Sequence, residues 1–169
     1  MGLKKKTAAI IQARYNSTRF PGKILSKIHN KTLLEILILR LKQSKKIDEI
    51  IVACTKNKND KKIITLCKKL KVLYFIGSEK NVLERYFKAA KKFNVNNIVR
   101  ITSDCPLIDY RIVDKLIINY NNSKSQYASN VIEPTYPDGM DVEVINFDLI
   151  KNRYFSTKNT FEKEHITTE

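Results

Sequence analysis

The residue types best suited to chemistry gather in one polar loop, which lies within IIQARYNSTRFPGK at positions 10–23. Arg14 and Arg19 each present a planar fork of N–H donors, and Lys23 adds a compact positive charge. The hydroxyls of Ser17 and Thr18 can donate to the same oxygen atoms. This combination suits a polyphosphate, because charge-assisted hydrogen bonds to phosphate are short and strong. The alternative is a basic turn that only faces solvent.

The chain lacks the glycine patterns of two common phosphate-binding loops. PGKI at 21–24 has no Ser or Thr after the lysine and no glycine five positions before it, so it is not a Walker A motif, and no GxGxxG occurs. Phosphate binding would therefore rest on side-chain cations more than on backbone amides.

Acidic residues follow in two later segments. Asp104, in TSDCP at 102–106, could supply a hard oxygen ligand for Mg²⁺, although an Asx turn or a helix cap is the alternative. Asp138, Asp141 and Glu143 form a second group. Alternation along a strand would place Asp141 and Glu143 on one face, where two like charges need a cation, a cationic partner or solvent. A solvent-facing edge strand is the alternative there.

The elements that must position these residues follow an α/β pattern. Apolar, β-rich segments alternate with segments of helical period, which predicts a Rossmann-like, mostly parallel sheet flanked by helices. The predicted strands are 7–12, 49–54, 72–76 and 97–102. Helices are predicted to begin after Thr32, Asp60, Asn81 and Asp109. From about residue 125 we expect a smaller, irregular antiparallel part, with a strand at 142–145 and a short helix capped by Asn146.

In an open α/β sheet, ligands bind beyond the carboxyl ends of the strands. The loop at 14–23 follows the first predicted strand, Thr55 follows the second, and Ser103 and Asp104 follow the fourth. We therefore expect these separate segments to converge on one crevice.

Composition limits the classes of partner. The formal charge is +15 over 169 residues, but the lysines are scattered in pairs such as those at 45–46, 61–62, 68–69 and 91–92, so no specific nucleic-acid partner is expected. No apolar run is long enough to span a membrane. The three cysteines form no CxxC pair, so each cysteine is expected to be a small buried residue. We expect one soluble, cytoplasmic domain over residues 1–169.

Two further charged residues leave alternatives open. Arg100 lies inside an apolar strand, where a guanidinium needs a partner, either a structural ion pair or a ligand. His165, after Glu162-Lys163-Glu164, is either a site residue or a contact at the start of a helix.

Five segments together resemble the nucleotide-diphospho-sugar transferase superfamily, which has a GT-A-like fold. Within it the chain is similar to cytidylyltransferases of the SpsF type, relatives of CMP-Kdo and CMP-sialic acid synthetases. The segments are IIQARYNSTRFPGK at 10–23, GSEKNVLERY at 77–86, RITSDCPLID at 100–109, YPDGMDVEV at 136–144 and EKEHIT at 162–167.

The resemblance implies CTP-dependent activation of an acidic sugar to a CMP-sugar, with release of pyrophosphate, for surface polysaccharide biosynthesis. It implies that the catalytic residues are Arg14, Arg19, Lys23 and Asp104. The implied nucleotide-binding residues are Ala13, Arg14, Ser17, Thr18, Arg19, Lys23, Thr55, Arg85 and Ser103. The implied sugar-binding residues are Asp138, Gly139, Asp141, Glu143 and His165. The cofactor would be Mg²⁺ on Asp104 and Asp141, and dimers are common among such relatives, so a homodimer is possible.

The resemblance also leaves alternatives. Longer relatives continue into a segment that supplies a second metal-binding aspartate, and we expect these 169 residues to lack it: either the gene is short, the product is a fragment, or Asp141 or Glu143 takes that role. The alternative functions are a nucleotidylyltransferase or glycosyltransferase of the same fold that uses another nucleotide, and a non-catalytic nucleotide-binding module.

Overall fold

The computed structural model describes residues 5–17, 20–159, 163 and 166–167. The strands are β1 Thr7–Gln12, β2 Lys27–Ile28, β3 Lys31–Thr32, β4 Glu49–Thr55, β5 Leu73–Gly77, β6 Asn97–Thr102, β7 Tyr127–Ser129 and β8 Glu143–Asn146. The α-helices are α1 Leu33–Leu41, α2 Lys61–Lys69, α3 Val82–Lys92, α4 Tyr110–Asn122 and α5 Phe147–Ser156. Short 3₁₀ turns cover Lys23–Leu25 and Lys58–Asp60.

The main sheet has six strands in the order β5-β4-β1-β6-β8-β7. The first four of these run parallel, whereas β8 pairs antiparallel with both β6 and β7. Parallel strands put their carboxyl ends at one edge, so β1, β4 and β6 deliver their following loops to the same place. The fold class and the antiparallel part after about residue 125 agree with the sequence prediction.

Side-chain caps fix where four of the helices begin. Thr32, Asn81, Asp109 and Asn146 each accept a hydrogen bond from a backbone amide in the first turn of the helix that follows. Such caps satisfy N–H groups that have no partner within the helix. Asp60 differs: it stands at the start of α2, but its side chain makes no capping bond.

The core has one apolar layer on each face of the sheet. One layer joins β-strand residues to α1, α2 and α4, and the other joins them to α3 and α5. In the second layer the Phe87 ring stacks on Tyr154 at a centroid distance of 4.5 Å and on Phe147 at 5.8 Å. This two-sided burial explains why the parallel strands are nearly continuous apolar runs. No helix within the described residues is long and apolar enough to cross a bilayer.

Candidate active site

The carboxyl ends of the three central strands meet as the sequence predicts. Gln12, the last residue of β1, lies opposite Ala53 of β4 on one side and Thr102 of β6 on the other. Ala13 continues the pairing, since its amide donates to the Ala53 carbonyl at 3.0 Å. The loop after β1, Thr55 and the Ser103-Asp104 pair therefore leave the sheet side by side.

Lys23 and Asp104 are in direct contact across this edge. The Nζ of Lys23 donates to Oδ2 of Asp104 at 3.2 Å, although the two residues are far apart in sequence. Both side chains are partly exposed, at 32% and 48%. Burial raises the pKa of the Asp104 carboxyl, but hydrogen bonds from the Thr102 and Lys23 side chains outweigh it and hold the pKa below its ordinary value. Asp104 is therefore ionised and reachable from solvent.

The loop that carries the cations closes on the backbone of Tyr15. The Tyr15 carbonyl accepts hydrogen bonds from the amides of Ser17 at 3.0 Å and Gly22 at 2.7 Å. Gly22 has a φ of 76°, and a Cβ there would lie 3.0 Å from the Tyr15 ring. Glycine is therefore needed both for its backbone conformation and for this close approach. Lys23 follows at once as the first residue of the 3₁₀ turn.

A buried carboxylate that sequence reasoning did not assign to the site lies beneath this loop. Asp60 is fully buried, and it accepts hydrogen bonds from the Tyr15 amide, the Thr55 amide and the Thr55 hydroxyl, each at 2.7 Å. The sequence alone suggests only that Asp60 caps the start of the helix that follows it. Its partner Tyr15 lies far back along the chain, and no local pattern signals that contact.

Two arginines differ in their surroundings at this edge. Arg14 is exposed, whereas Arg85 is 2% exposed and its Nη1 donates to the carbonyls of Ser78 and Glu79. The Nε of Arg85 is buried and has no hydrogen-bond partner among the described residues. Burial lowers the pKa of Arg85, and the positive charge of Arg14 acts in the same direction. An anion near Arg14 and Arg85 would reduce this repulsion between the two cations.

The remaining residues at this edge offer few free side chains. Ala13, Thr55 and Ser103 are buried, and the Thr55 hydroxyl is occupied by Asp60. Cys105 lies beside Asp104 and is partly exposed, in contrast to the expectation that every cysteine is buried. Its Sγ lies 3.2 Å from the Thr102 hydroxyl. Burial raises the pKa of the Cys105 thiol, and the charges of Asp104 and Asp141 raise it further.

The acidic residues at 138–143 differ in burial and do not share one strand face. The strand β8 begins at Glu143, so Asp141 precedes it, and alternation along the strand does not reach Asp141. Asp138 and Asp141 are exposed, Gly139 has a φ of 87°, and Glu143 is 4% exposed.

Glu143 has structural partners of its own. Its carboxylate accepts a hydrogen bond from Arg100 Nη1 on the neighbouring strand and another from the Tyr127 hydroxyl at 2.7 Å. Of the two alternatives for Arg100, the structure therefore shows the structural ion pair. Of the alternatives for Glu143, the structure shows the cationic partner and excludes the solvent-facing edge strand, because the residue lies between two paired strands.

Thr18, Arg19 and His165 lie outside the described residues. Their predicted roles in binding phosphate and sugar therefore stay predictions.

Asp104 is the carboxylate best placed for a divalent cation. Within the described part of the chain, no three His, Cys, Asp or Glu side chains come together as a metal site on their own. Mg²⁺ commonly binds one or two carboxylates together with substrate phosphates. An ionised, half-exposed Asp104 beside a basic loop fits a cation that is shared with a bound polyphosphate.

The mostly parallel sheet with a basic loop at its carboxyl edge defines an α/β protein of the nucleotidyltransferase fold, and comparisons with known proteins agree. The chain belongs to the cytidylyltransferase family, whose model matches residues 8–167. This confirms the resemblance found in the sequence.

Relatives of known sequence and structure support the assignment. The spore coat polysaccharide biosynthesis protein SpsF of Bacillus subtilis (strain 168) is 32% identical over 164 residues, which is 94% of this chain. The 3-deoxy-manno-octulosonate cytidylyltransferase of Solibacter usitatus (strain Ellin6076) is 30% identical over 118 residues, which is 69% of this chain. A solved cytidylyltransferase structure from Leptospira borgpetersenii serovar Hardjo-bovis (strain JB197) superposes with a TM-score of 0.92 at 36% identity, and the match covers 96% of this chain and 69% of that one.

This chain is shorter than its relatives. It spans 67% of the length of the Bacillus protein, 45% of the Solibacter enzyme and 65% of a relative from Methanocaldococcus jannaschii.

Proposed function

We propose that this chain is a nucleotidyltransferase that uses CTP to activate an acidic sugar, a nonulosonic or ulosonic acid, for surface polysaccharide biosynthesis. The observation that carries the proposal is the contact between Lys23 and Asp104 at the edge where β1, β4 and β6 end. A cation for phosphate and a carboxylate for a phosphate-bound metal stand side by side there. The family supports cytidylyl transfer, the octulosonate relative supports a sugar acid as the acceptor, and the SpsF relative supports a role in polysaccharide biosynthesis.

In the proposed reaction, a hydroxyl oxygen of the sugar forms a bond to the α-phosphorus of CTP. The bond from that phosphorus to the bridging oxygen breaks, pyrophosphate leaves with the electron pair, and the hydroxyl proton passes to solvent. The protein contributes mainly position and charge neutralisation. Arg14 and Lys23 would bind phosphate oxygens, and Asp104 would hold Mg²⁺, which would supply further neutralisation of the phosphates when bound.

Separation of Lys23 from Asp104 on binding is compatible with this scheme. Partly exposed ion pairs stabilise proteins by only about 0–1 kcal/mol. Separating the two side chains would therefore cost little free energy, so that Lys23 could bind the phosphates of a metal–nucleotide complex and Asp104 could bind its metal. The loop geometry held by Tyr15 and Gly22 keeps Lys23 beside Asp104.

The test is release of pyrophosphate from CTP and Mg²⁺ with a panel of nonulosonic and ulosonic acids. We expect release with at least one of these sugars and none in the absence of sugar. Lys23→Met should weaken CTP binding, and Lys27→Met is the matched control, because Lys27 is an exposed lysine in β2, which pairs antiparallel with β3 as a small separate hairpin. Folded protein that releases no pyrophosphate with any sugar acid would contradict the proposal.

Titration with all four nucleoside triphosphates tests the choice of base separately. A preference for UTP or ATP over CTP would exclude the cytidylyl assignment, while retaining a nucleotidyltransferase of the same fold.

A further inference from the structure

Asp60 is the most completely enclosed carboxylate near the candidate site. It is 0% exposed and ends the 3₁₀ turn Lys58–Asp60 after β4. Its position before α2 is that of a helix cap, but its side chain makes no capping bond. Buried carboxylates need partners, because removing a charge from water is costly. The hydrogen-bond partners of Asp60 therefore indicate its role.

Both carboxylate oxygens of Asp60 accept hydrogen bonds from residues at the edge of the candidate site. Oδ1 accepts from the Tyr15 amide, and Oδ2 accepts from the amide and the hydroxyl of Thr55, all at 2.7 Å. These are short, charge-assisted hydrogen bonds. One side chain thus ties the loop after β1 to the end of β4.

The peptide groups of Tyr15 are held from both directions. Its amide is fixed by Asp60, and its carbonyl accepts from the amides of Ser17 and Gly22, which brings the two ends of the loop together. The Tyr15 ring also lies below the Nζ of Lys62, 5.3 Å from the ring centroid. Any movement of Tyr15 would therefore move Arg14 before it and Lys23 beyond Gly22.

We propose that Asp60 is a positioning residue that holds the phosphate-binding loop in its binding geometry through Tyr15. The inference rests on the proposed function for the identity of the ligand, but not for the role of Asp60 in ordering the loop. Asp60 does not itself contact phosphate, since its oxygens are occupied by N–H and O–H donors and its own charge is negative.

The variant Asp60→Asn isolates this role. An amide of the same shape offers one acceptor oxygen and one NH₂ donor. The NH₂ group must then face either Tyr15 N–H or the donors of Thr55, so at least one bond is lost. We expect affinity for CTP and for inorganic pyrophosphate, each with Mg²⁺, to fall about tenfold, as for the loss of one charge-assisted hydrogen bond.

Asp114→Asn is the matched control. Asp114 also holds a loop with a carboxylate, since it accepts from the Ser44 hydroxyl and from the amides of Lys45 and Lys46. That loop joins α1 to the start of β4, at the opposite edge of the sheet from the candidate site. We expect Asp114→Asn to bind CTP and pyrophosphate as the wild-type chain does.

Amide hydrogen exchange provides a readout that does not depend on the ligand. Asp60→Asn should speed exchange at Tyr15 and Gly22, whereas Asp114→Asn should leave these two amides unchanged. If the wild-type chain binds no nucleotide, the proposed function fails, and the exchange rates still decide the role of Asp60. Wild-type affinities together with unchanged exchange in Asp60→Asn would overturn the inference.

If Asp60→Asn does not fold, Thr55→Val asks the same question with a smaller change. It removes one of the three donors and keeps the amide bond to Asp60. We expect CTP and pyrophosphate to bind about threefold more weakly, because one of the three hydrogen bonds to Asp60 is lost while both backbone amides stay bound. Wild-type affinity in folded Thr55→Val would then overturn the inference.

Discussion

The Nζ of Lys23 lies 3.2 Å from Oδ2 of Asp104. These residues come from the loops after β1 and β6, which are adjacent parallel strands. The pair keeps the carboxylate ionised and holds the lysine at the carboxyl edge of the sheet. Because both groups are partly exposed, the pair is available to a ligand that offers Lys23 an anion and Asp104 a cation.

The first prediction concerns the pKa of Asp104. Lys23→Met removes one hydrogen bond and one positive charge that hold this pKa below its ordinary value, so the pKa should rise. The measurement is a pH titration of the Asp104 carboxyl carbon by NMR. Lys27→Met, the control, should leave it unchanged. An Asp104 pKa that does not move in Lys23→Met would mean that the two side chains do not pair in solution.

The second prediction compares two aspartates proposed as metal ligands. Asp104→Asn should reduce pyrophosphate release about 100-fold, the size expected when a group that neutralises transition-state charge is lost. Asp141→Asn should reduce it about tenfold or more if Asp141 is a second ligand. Both rates are measured at saturating Mg²⁺, with urea unfolding as a check on folding. Unchanged activity in Asp104→Asn would remove Asp104 from the proposed metal site.

Local patterns predicted much of the fold. The bounds of β1 and β6 agree with the sequence prediction because each is an apolar run ended by a polar residue. The caps at Thr32 and Asn81 were also predictable, since the capping side chain and its partner lie three residues apart. The hairpin Lys27–Thr32 was not predicted, because two-residue strands have no readable period.

The site was predictable as a location but not as a set of contacts. The rule that ligands bind beyond strand ends brought the basic loop to Asp104, and the structure confirms that proximity. The Asp60–Tyr15 bond is a contact between distant segments, and no spacing rule applies to it. The alternation that paired Asp141 with Glu143 failed because the strand begins only at Glu143.

The third prediction tests whether Arg100 and Glu143 act as a buried pair. Glu143 is 5% and Arg100 21% exposed at the side chain, so removing either partner leaves a poorly solvated charge. Arg100→Met and Glu143→Met should each lower the free energy of unfolding by about 3 kcal/mol. The double variant should lose less than the sum, with a coupling of about 1–3 kcal/mol. Urea unfolding of all four proteins measures this, and additive losses would contradict the pairing.

The fourth prediction concerns stability at low pH. Hydrogen bonds from the Arg111 side chain and amide lower the pKa of Asp109 to about 2. A lowered pKa in the folded state means that Asp109 adds stability above its ordinary pKa and loses it as pH falls towards 2. Because the Arg111 side chain is 76% exposed, solvent screens the pair and the contribution to stability should be small.

Asp109→Asn isolates this charge, because asparagine caps a helix about as well as aspartate. Wild-type protein should therefore exceed Asp109→Asn in stability near neutral pH, and the difference should vanish as the pH approaches 2. Urea unfolding across this pH range is the measurement. A difference that persists at the lowest pH would show that the charge of Asp109 is not its source.

The fifth prediction separates Cys105 from the other two cysteines. Burial raises the pKa of the Cys54 thiol to about 11 and that of Cys67 to about 12, and both side chains are fully buried. Cys105 is partly exposed next to Asp104. Because a reagent must reach the sulfur, a thiol reagent such as DTNB should label only Cys105 in folded protein, and all three cysteines after unfolding. CTP with Mg²⁺ should slow that labelling, because the nucleotide would cover Asp104. Rapid labelling of a second thiol would contradict the burial of Cys54 and Cys67, and labelling that CTP does not slow would place the nucleotide away from Asp104.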